Sequence, residues 1–331
     1  MKRKIGALAL CALLFALSLS AQAQQPGKIP RIGFISGRGI PTSATPDPNA
    51  RAFQQGLRDL GYTEGKNIVL ELRYAEGKPD RAASLVSELL RLNVDVLVTP
   101  YSAAIDAAKQ ANKTIPIIII TLGDPVADGL VDSLARPGGN ITGLTRLTRD
   151  LSGKRLELLK EVVPGISRVG ILSDADTPVK TKPFKYYEPA AHALKIQLQP
   201  LEVRGPTPDL AEAFQTAVNA GVRTLIIVRT PLLIDHRKQI AELAIKNRLP
   251  LMAEGNDFVE AGCLMSYAAS EPESFRRAAT YVDKILKGRK PADLPVEQPT
   301  KFEFIINLTT AKQIGLTISP NVLARADRII K

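Results

Sequence analysis

The sequence predicts an α/β fold of two tandem units, each a parallel sheet flanked by helices. Three observations predict it. Short apolar runs of strand length alternate with amphipathic stretches of helical spacing. The alternation restarts near Leu151. And 331 residues are enough to divide between two cores.

In the first unit, Arg31–Ser36 (RIGFIS) reads as a buried strand. Residues 49–60 put Ala52, Phe53, Gly56, Leu57 and Leu60 at helical spacing. Residues 67–74 alternate as a strand and 81–92 are helical. Residues 94–99, 103–111 and 115–121 continue as strand, helix and strand. Continuous apolar runs of this kind suit a parallel sheet covered on both faces.

In the second unit, residues 151–163 read as a helix and 168–173 (RVGILS) as a strand. Helix at 189–194, strand at 196–203, helix at 209–220, strand at 222–228 and one long helix at 232–247 follow. Residues 250–252 and 262–267 give two short strands. The boundary between the units falls at residues 140–150. Residues 274–287 form an amphipathic helix stopped by Gly288 to Pro291. A strand at 301–307 and a helix at 308–314 close the chain. This material beyond two complete units predicts a crossing back between lobes and a hinge of more than one strand. The expected division is residues 1–23 as a leader, 30–146 with about 272–298 as one lobe, and 147–270 with 300–331 as the other.

The leader is read from Lys2, Arg3 and Lys4, an apolar run over residues 5–19, and Ala21-Gln22-Ala23. That order is the basic, hydrophobic and small-residue pattern of a cleavable secretory signal. The run is shorter than the roughly 20 residues a membrane span needs. The expected location is therefore the periplasm. Cys11 falls in the leader, so Cys263 would be left without an intramolecular partner.

Charge and composition exclude several functions. Lys and Arg number 44 against 33 Asp and Glu, but no block of like charge occurs, and Trp is absent. Basic patches interleaved with stacking rings are not visible, which argues against nucleic acid. The two histidines, His192 and His236, sit in polar amphipathic stretches away from Cys263. Neither Cys/His catalysis nor zinc spacing is supported. No G-x-S-x-G elbow, G-x-G-x-x-G turn or phosphate loop is present. The expectation is a binding protein without catalysis, cofactor or metal.

Ligands of open parallel sheets bind beyond the carboxyl ends of the strands. The loops there carry Ser36-Gly37, Tyr101-Ser102 and Asp124 in the first unit. In the second they carry Asp174, Thr230 and Glu254. Ser102 is expected to cap the helix that follows it and to leave N–H groups for a carboxylate. Asp124, Asp174 and Glu254 are candidates for an ammonium or hydroxyl group. Each of these could equally serve only its own turn or helix end.

Gly123-Asp124-Pro125-Val126, continued by Gly129-Leu130 and by residues 135–143 (ARPGGNITG), resembles the signature of one family. That family is the ABC-transporter substrate-binding proteins related to tryptophan/tyrosine transport. Residues 53–57 with 60–62, 67–68 with 73–77, and 307–308 with 311–316 resemble its other segments. The likeness runs from about residue 31 to 330. It implies a type I periplasmic-binding-protein fold, in which two Rossmann-like lobes close on one small ligand and deliver it to an inner-membrane ABC permease. It implies ligand-facing Ser36, Gly37, Tyr101, Ser102, Asp124, Asp174, Thr230 and Glu254; a monomer is expected separately, because solute capture needs only one chain. At Tyr101 the family often has a small residue, so a ring there would fill part of the pocket or stack on the ligand. A sensor for a membrane receptor would share all of these features, and an exported α/β enzyme could use the same cleft.

Overall fold

The computed structural model describes residues 28–43, 46–176 and 183–331. The expected leader lies outside the described residues. Among the described residues, no helix is long and apolar enough to cross a membrane.

The first sheet is five-stranded and parallel. It contains β1 (Arg31–Ser36), β2 (Val69–Tyr74), β3 (Val96–Thr99), β4 (Ile117–Thr121) and β5 (Ile141–Thr145), ordered β2-β1-β3-β4-β5. Side chains alternate between its two faces, and both faces are apolar. Phe34, Val98, Ile118 and Ile120 face α1 (Pro48–Asp59) through Phe53. Ile35, Leu97, Ile117 and Ile119 face α2 (Arg81–Arg91) and α3 (Ser102–Ala111) through Val86, Leu89, Ala104 and Ile105. Asp47 starts α1 by accepting from Asn49 N at 3.0 Å, with Pro48 at the first helical position.

The chain then enters α4 (Ser152–Val162) and a second sheet. Its strands are β6 (Arg168–Asp174), β7 (Gln197–Val203), β8 (Leu225–Ile227), β9 (Leu251–Ala253), β10 (Met265–Ala269), β11 (Phe302–Asn307) and β12 (Arg328–Ile330), ordered β12-β11-β10-β9-β8-β6-β7. Only the β10–β11 pair is antiparallel. Helices α5 (Glu188–Leu194), α6 (Leu210–Asn219), α7 (Pro231–Asp235), α8 (Arg237–Lys246) and α9 (Asn256–Glu260) accompany these strands. One core joins Leu156, Leu159, Ile171, Ile226 and Met252, and another joins Leu172, Phe214, Ile227, Ile240 and Leu251.

Helix α10 (Glu271–Leu286) follows β10 of the second sheet but packs on α1 of the first. The absence of a side chain at Gly56 makes this approach possible: a Cβ there would lie 2.7 Å from Arg276 O. The segment after α10 stays with the first sheet, where Thr142 Oγ1 donates to Leu294 O at 2.6 Å and Glu297 bridges to Leu144. The chain then returns to β11 and ends in α11 (Leu308–Gln313), α12 (Pro320–Leu323) and β12. It thus passes between the sheets three times. Buried Arg155 ties the first passage to β10 of the second sheet, donating to Thr148 O at 2.6 Å and to Tyr267 O at 2.9 Å.

The structure corrects several element boundaries. β5 was not anticipated, because its sequence (ITGLT) is short and holds Gly143. The helix expected at 232–247 is two helices. Thr230 Oγ1 and Pro231 start α7, and the chain turns at His236 before α8. α9, α12 and β12 are short, and apolar periodicity did not reveal them.

Candidate functional site

The carboxyl ends of both sheets face one another across a cleft with two compartments. With the space open to solvent included they measure about 860 and 970 Å³, in the range of small-molecule sites. The first is lined by Ser36, Gly37, Tyr101, Ser102, Asp174 and Thr230, together with Arg38, Arg146, Arg229 and Glu271. The second shares Ser102, Arg229 and Thr230, and adds Asp106, Asp128, Arg149, Tyr186 and Glu254.

Most polar groups of the predicted set are oriented by their own loops. Thr99 Oγ1 donates to Ile35 O at 2.9 Å and accepts from Tyr101 N at 3.1 Å, which fixes the turn that presents Tyr101. The ring is only 8% exposed. Burial, then Asp174 and Asp80, push its phenol up to about 12, so the hydroxyl keeps its proton at neutral pH. Ser36 Oγ accepts from Arg38 N at 3.2 Å, and Asp174 Oδ1 accepts from Asp176 N at 2.9 Å. The two halves approach one another at Gly37. A Cβ there would lie 2.6 Å from the Tyr101 ring and 2.9 Å from Pro231 Cγ in the other half.

Three expectations change. Ser102 does not cap α3. It is the first helical residue, Tyr101 occupies the cap, and no side chain bonds the free N–H groups. Asp124 lines neither compartment. It is exposed, and its Oδ1 accepts from Val126 N at 2.8 Å and Ala127 N at 3.3 Å, so it serves a local turn. Asp124→Ala is therefore expected to leave ligand affinity within twofold by calorimetry, while costing about 0.5–2 kcal/mol of stability through loss of the turn bonds. Glu254 lines the second compartment, but protein groups take both of its oxygens. Tyr187 OH donates to Oε1 at 2.6 Å and Arg229 N to Oε2 at 3.0 Å, with Arg155 Nη1 at 3.5 Å. It organises the wall and is not a free acceptor. Burial and Glu254 hold the Tyr187 phenol well above its usual value.

The structure adds a buried charge network at the floor of the first compartment. Arg146, 2% exposed, lies 3.0 Å from Glu271 Oε1. Arg229, 7% exposed, donates to Asp257 Oδ2 at 2.9 Å and to Glu271 Oε2. Asn49 Nδ2 also donates to Glu271, at 3.0 Å. Burial lowers the pKa of Arg146, and Arg229 adds to this, with Glu271 only partly offsetting both. For Arg229, burial is outweighed by Asp257 and Glu271, which raise it. Sequence reasoning singled out Thr230 but not its neighbour Arg229 at the same strand end. It missed Arg146 because β5, the strand that delivers it, went unread.

A family model for ABC transporter substrate-binding proteins matches residues 45–330. The chain belongs to that family. A tyrosine-binding protein of Clostridioides difficile (strain R20291) is 26% identical over 274 residues, 82% of this chain and 77% of that one. A conserved domain protein from Vibrio cholerae superposes with a TM-score of 0.83 at 26% identity, over 91% of this chain and all of that one. An ABC domain from Streptococcus pneumonia in complex with L-Trp superposes with a TM-score of 0.81 at 22% identity, over 91% and 99% of the two chains. The fold of this substrate-binding protein is that of type I periplasmic binding proteins, as the sequence motifs implied.

Proposed function

We propose that this substrate-binding protein is the exported, periplasmic component of an ABC import system, closing on one small ligand and passing it to an inner-membrane permease. The lobes would be residues 30–146 with about 272–298, and 147–270 with 300–331. The observation that carries this reading is the cleft itself. Strand-end loops of both sheets line it, and the Gly37 loop meets Pro231 across it at van der Waals distance. Contacts that exist only when the halves meet are the ones able to shift an open form to a closed one. Ser36, Gly37, Tyr101, Ser102, Asp174 and Thr230 would face the ligand, with Glu254 holding the wall. Tyr101 and Phe275 suit an apolar or aromatic body, in keeping with the L-Trp complex and the tyrosine-binding relative.

A thermal-shift screen of small metabolites followed by calorimetry tests this. A true ligand at a hundredfold excess over Kd is expected to add about 2.7 kcal/mol of apparent stability. Gly37→Val places branched carbon where the Tyr101 ring and Pro231 now lie. It is expected to weaken that ligand at least tenfold and to enlarge the ligand-bound radius of gyration in X-ray scattering. A library that stabilises nothing would sink the proposal.

A further inference from the structure

We propose that the first compartment takes a ligand bearing a carboxylate, seated on the guanidinium groups of Arg146 and Arg229, with an apolar body against Tyr101 and Phe275. This rests on the capture reading above and names the ligand class.

The floor of the compartment has more hydrogen-bond donors than the protein uses. Arg146 Nε and Nη2, Arg229 Nε and Arg38 Nη1 are buried without any hydrogen-bond partner. All three side chains line the compartment, and Arg146 and Arg229 are more than nine-tenths buried. Buried donors are ordinarily satisfied, and leaving a charged one unmade is costly. A group with several acceptor lone pairs in one plane would satisfy them, and a carboxylate matches the guanidinium fork in this way.

Charge points the same way. Arg38, Arg146 and Arg229 contribute three positive charges. Two carboxylates, Glu271 and Asp174, line the compartment with them, while Asp257, bonded to Arg229, does not, so the lining carries one more positive than negative charge. Glu271 spends both oxygens on the two arginines and Asn49, and it offers nothing to a ligand cation. An ammonium group at this floor would be set beside the guanidinium groups of Arg146 and Arg229. The remaining walls include the apolar side chains of Ile120, Leu122 and Phe275, with Asp174 as their one carboxylate.

The test compares acids with neutral isosteres of the same body on the unaltered protein. The probes are 3-(4-hydroxyphenyl)propionate and its primary amide, L-tyrosine and L-tyrosinamide, benzoate and benzamide, with tyramine as the cation. Each acid that binds is expected to bind about ten- to a hundredfold tighter than its amide, the range of a charge-assisted hydrogen-bond pair. Tyramine is expected not to bind. Arg146→Met should remove the acid's advantage, and Arg146→Lys, which keeps charge without the fork, should keep only part of it. An amide or tyramine binding as tightly as the acid overturns the inference, whether or not the variants fold. So does an acid preference that survives in Arg146→Met. If no acid binds but the wider screen yields a neutral or cationic ligand, the carboxylate assignment falls and capture stands. If nothing binds at all, both fall.

Discussion

Arg229→Leu is expected to cost about 3–5 kcal/mol of folding stability at pH 7, the range for removing one partner of a buried ion network. Arg229 sits between two carboxylates, Asp257 at 2.9 Å and Glu271, while its backbone N–H holds Glu254 at 3.0 Å. Leucine of similar bulk would fill the space but leave Asp257 and half of Glu271 without a cation in a poorly hydrated floor. The urea midpoint measures the loss. The pH dependence gives the mechanism. In the intact protein burial pushes the Asp257 carboxyl up, but Arg229, with Arg38 and Arg146, overrides this and holds it below its ordinary value. Its contribution is therefore complete above the unfolded carboxylate pKa of about 3.9 and is lost only as pH falls through the lower folded value. Without Arg229 the burial effect is left less opposed, and the folded value rises. The variant then takes up a proton on folding in mild acid, so its deficit should shrink between pH 7 and pH 4.5. A deficit that is constant with pH would mean that lost packing, not unpaired charge, is what destabilises the variant. Asp257→Asn placed on Arg229→Leu should recover part of the loss at pH 7 and abolish much of its pH dependence.

How much of this network was legible in the sequence depended on distance along the chain. Strands such as β1 and helices such as α1 follow from spacing within a dozen residues, because burial of one face dictates which positions are apolar. The residues Ser36, Gly37, Tyr101 and Thr230 could be located because the ends of parallel strands converge wherever such a sheet forms. Arg146 and Glu271 meet across 125 positions, and Arg229 and Glu271 across 42. Nothing local marks such a pair, and each alone reads as a solvated charge. Asp124 failed for the opposite reason. It stands at a strand end, but its carboxylate bonds two N–H groups in the next turn, a local preference that competes with any ligand role. The same holds for Ser102, which is one residue too late to cap α3. Position relative to a strand end says which loops face the cleft, not which side chains in those loops are left with bonding capacity.

Gly143→Ala is expected to destabilise the protein by about 3–5 kcal/mol, adding the strain of a φ that side chains rarely adopt to the cost of overpacking. Gly143 has φ +140°, and a Cβ there would lie 2.1 Å from Ile119 O and 2.7 Å from Ile119 N. Those atoms belong to the neighbouring strand, with which Gly143 is in register, so they cannot swing aside as a flexible side chain would. The other side is closed as well. Glu297 N donates to Gly143 O at 3.0 Å, and Thr145 N donates to Glu297 O at 2.9 Å. β5 is thus held between β4 and the segment that returns after α10, and accommodating a methyl group means breaking one of the two ladders. Gly139→Ala is the control, since no atom lies within 4 Å of its added Cβ and its φ is not positive. It should shift the urea midpoint by less than the equivalent of about 0.5 kcal/mol. Equal midpoints for the two variants would show that β5 can slide, and that the returning segment does not clamp it. Because Arg146 follows β5 directly, loosening this strand should also weaken ligand binding more than the stability loss alone accounts for. Calorimetry at a temperature where the variant is fully folded separates the two effects.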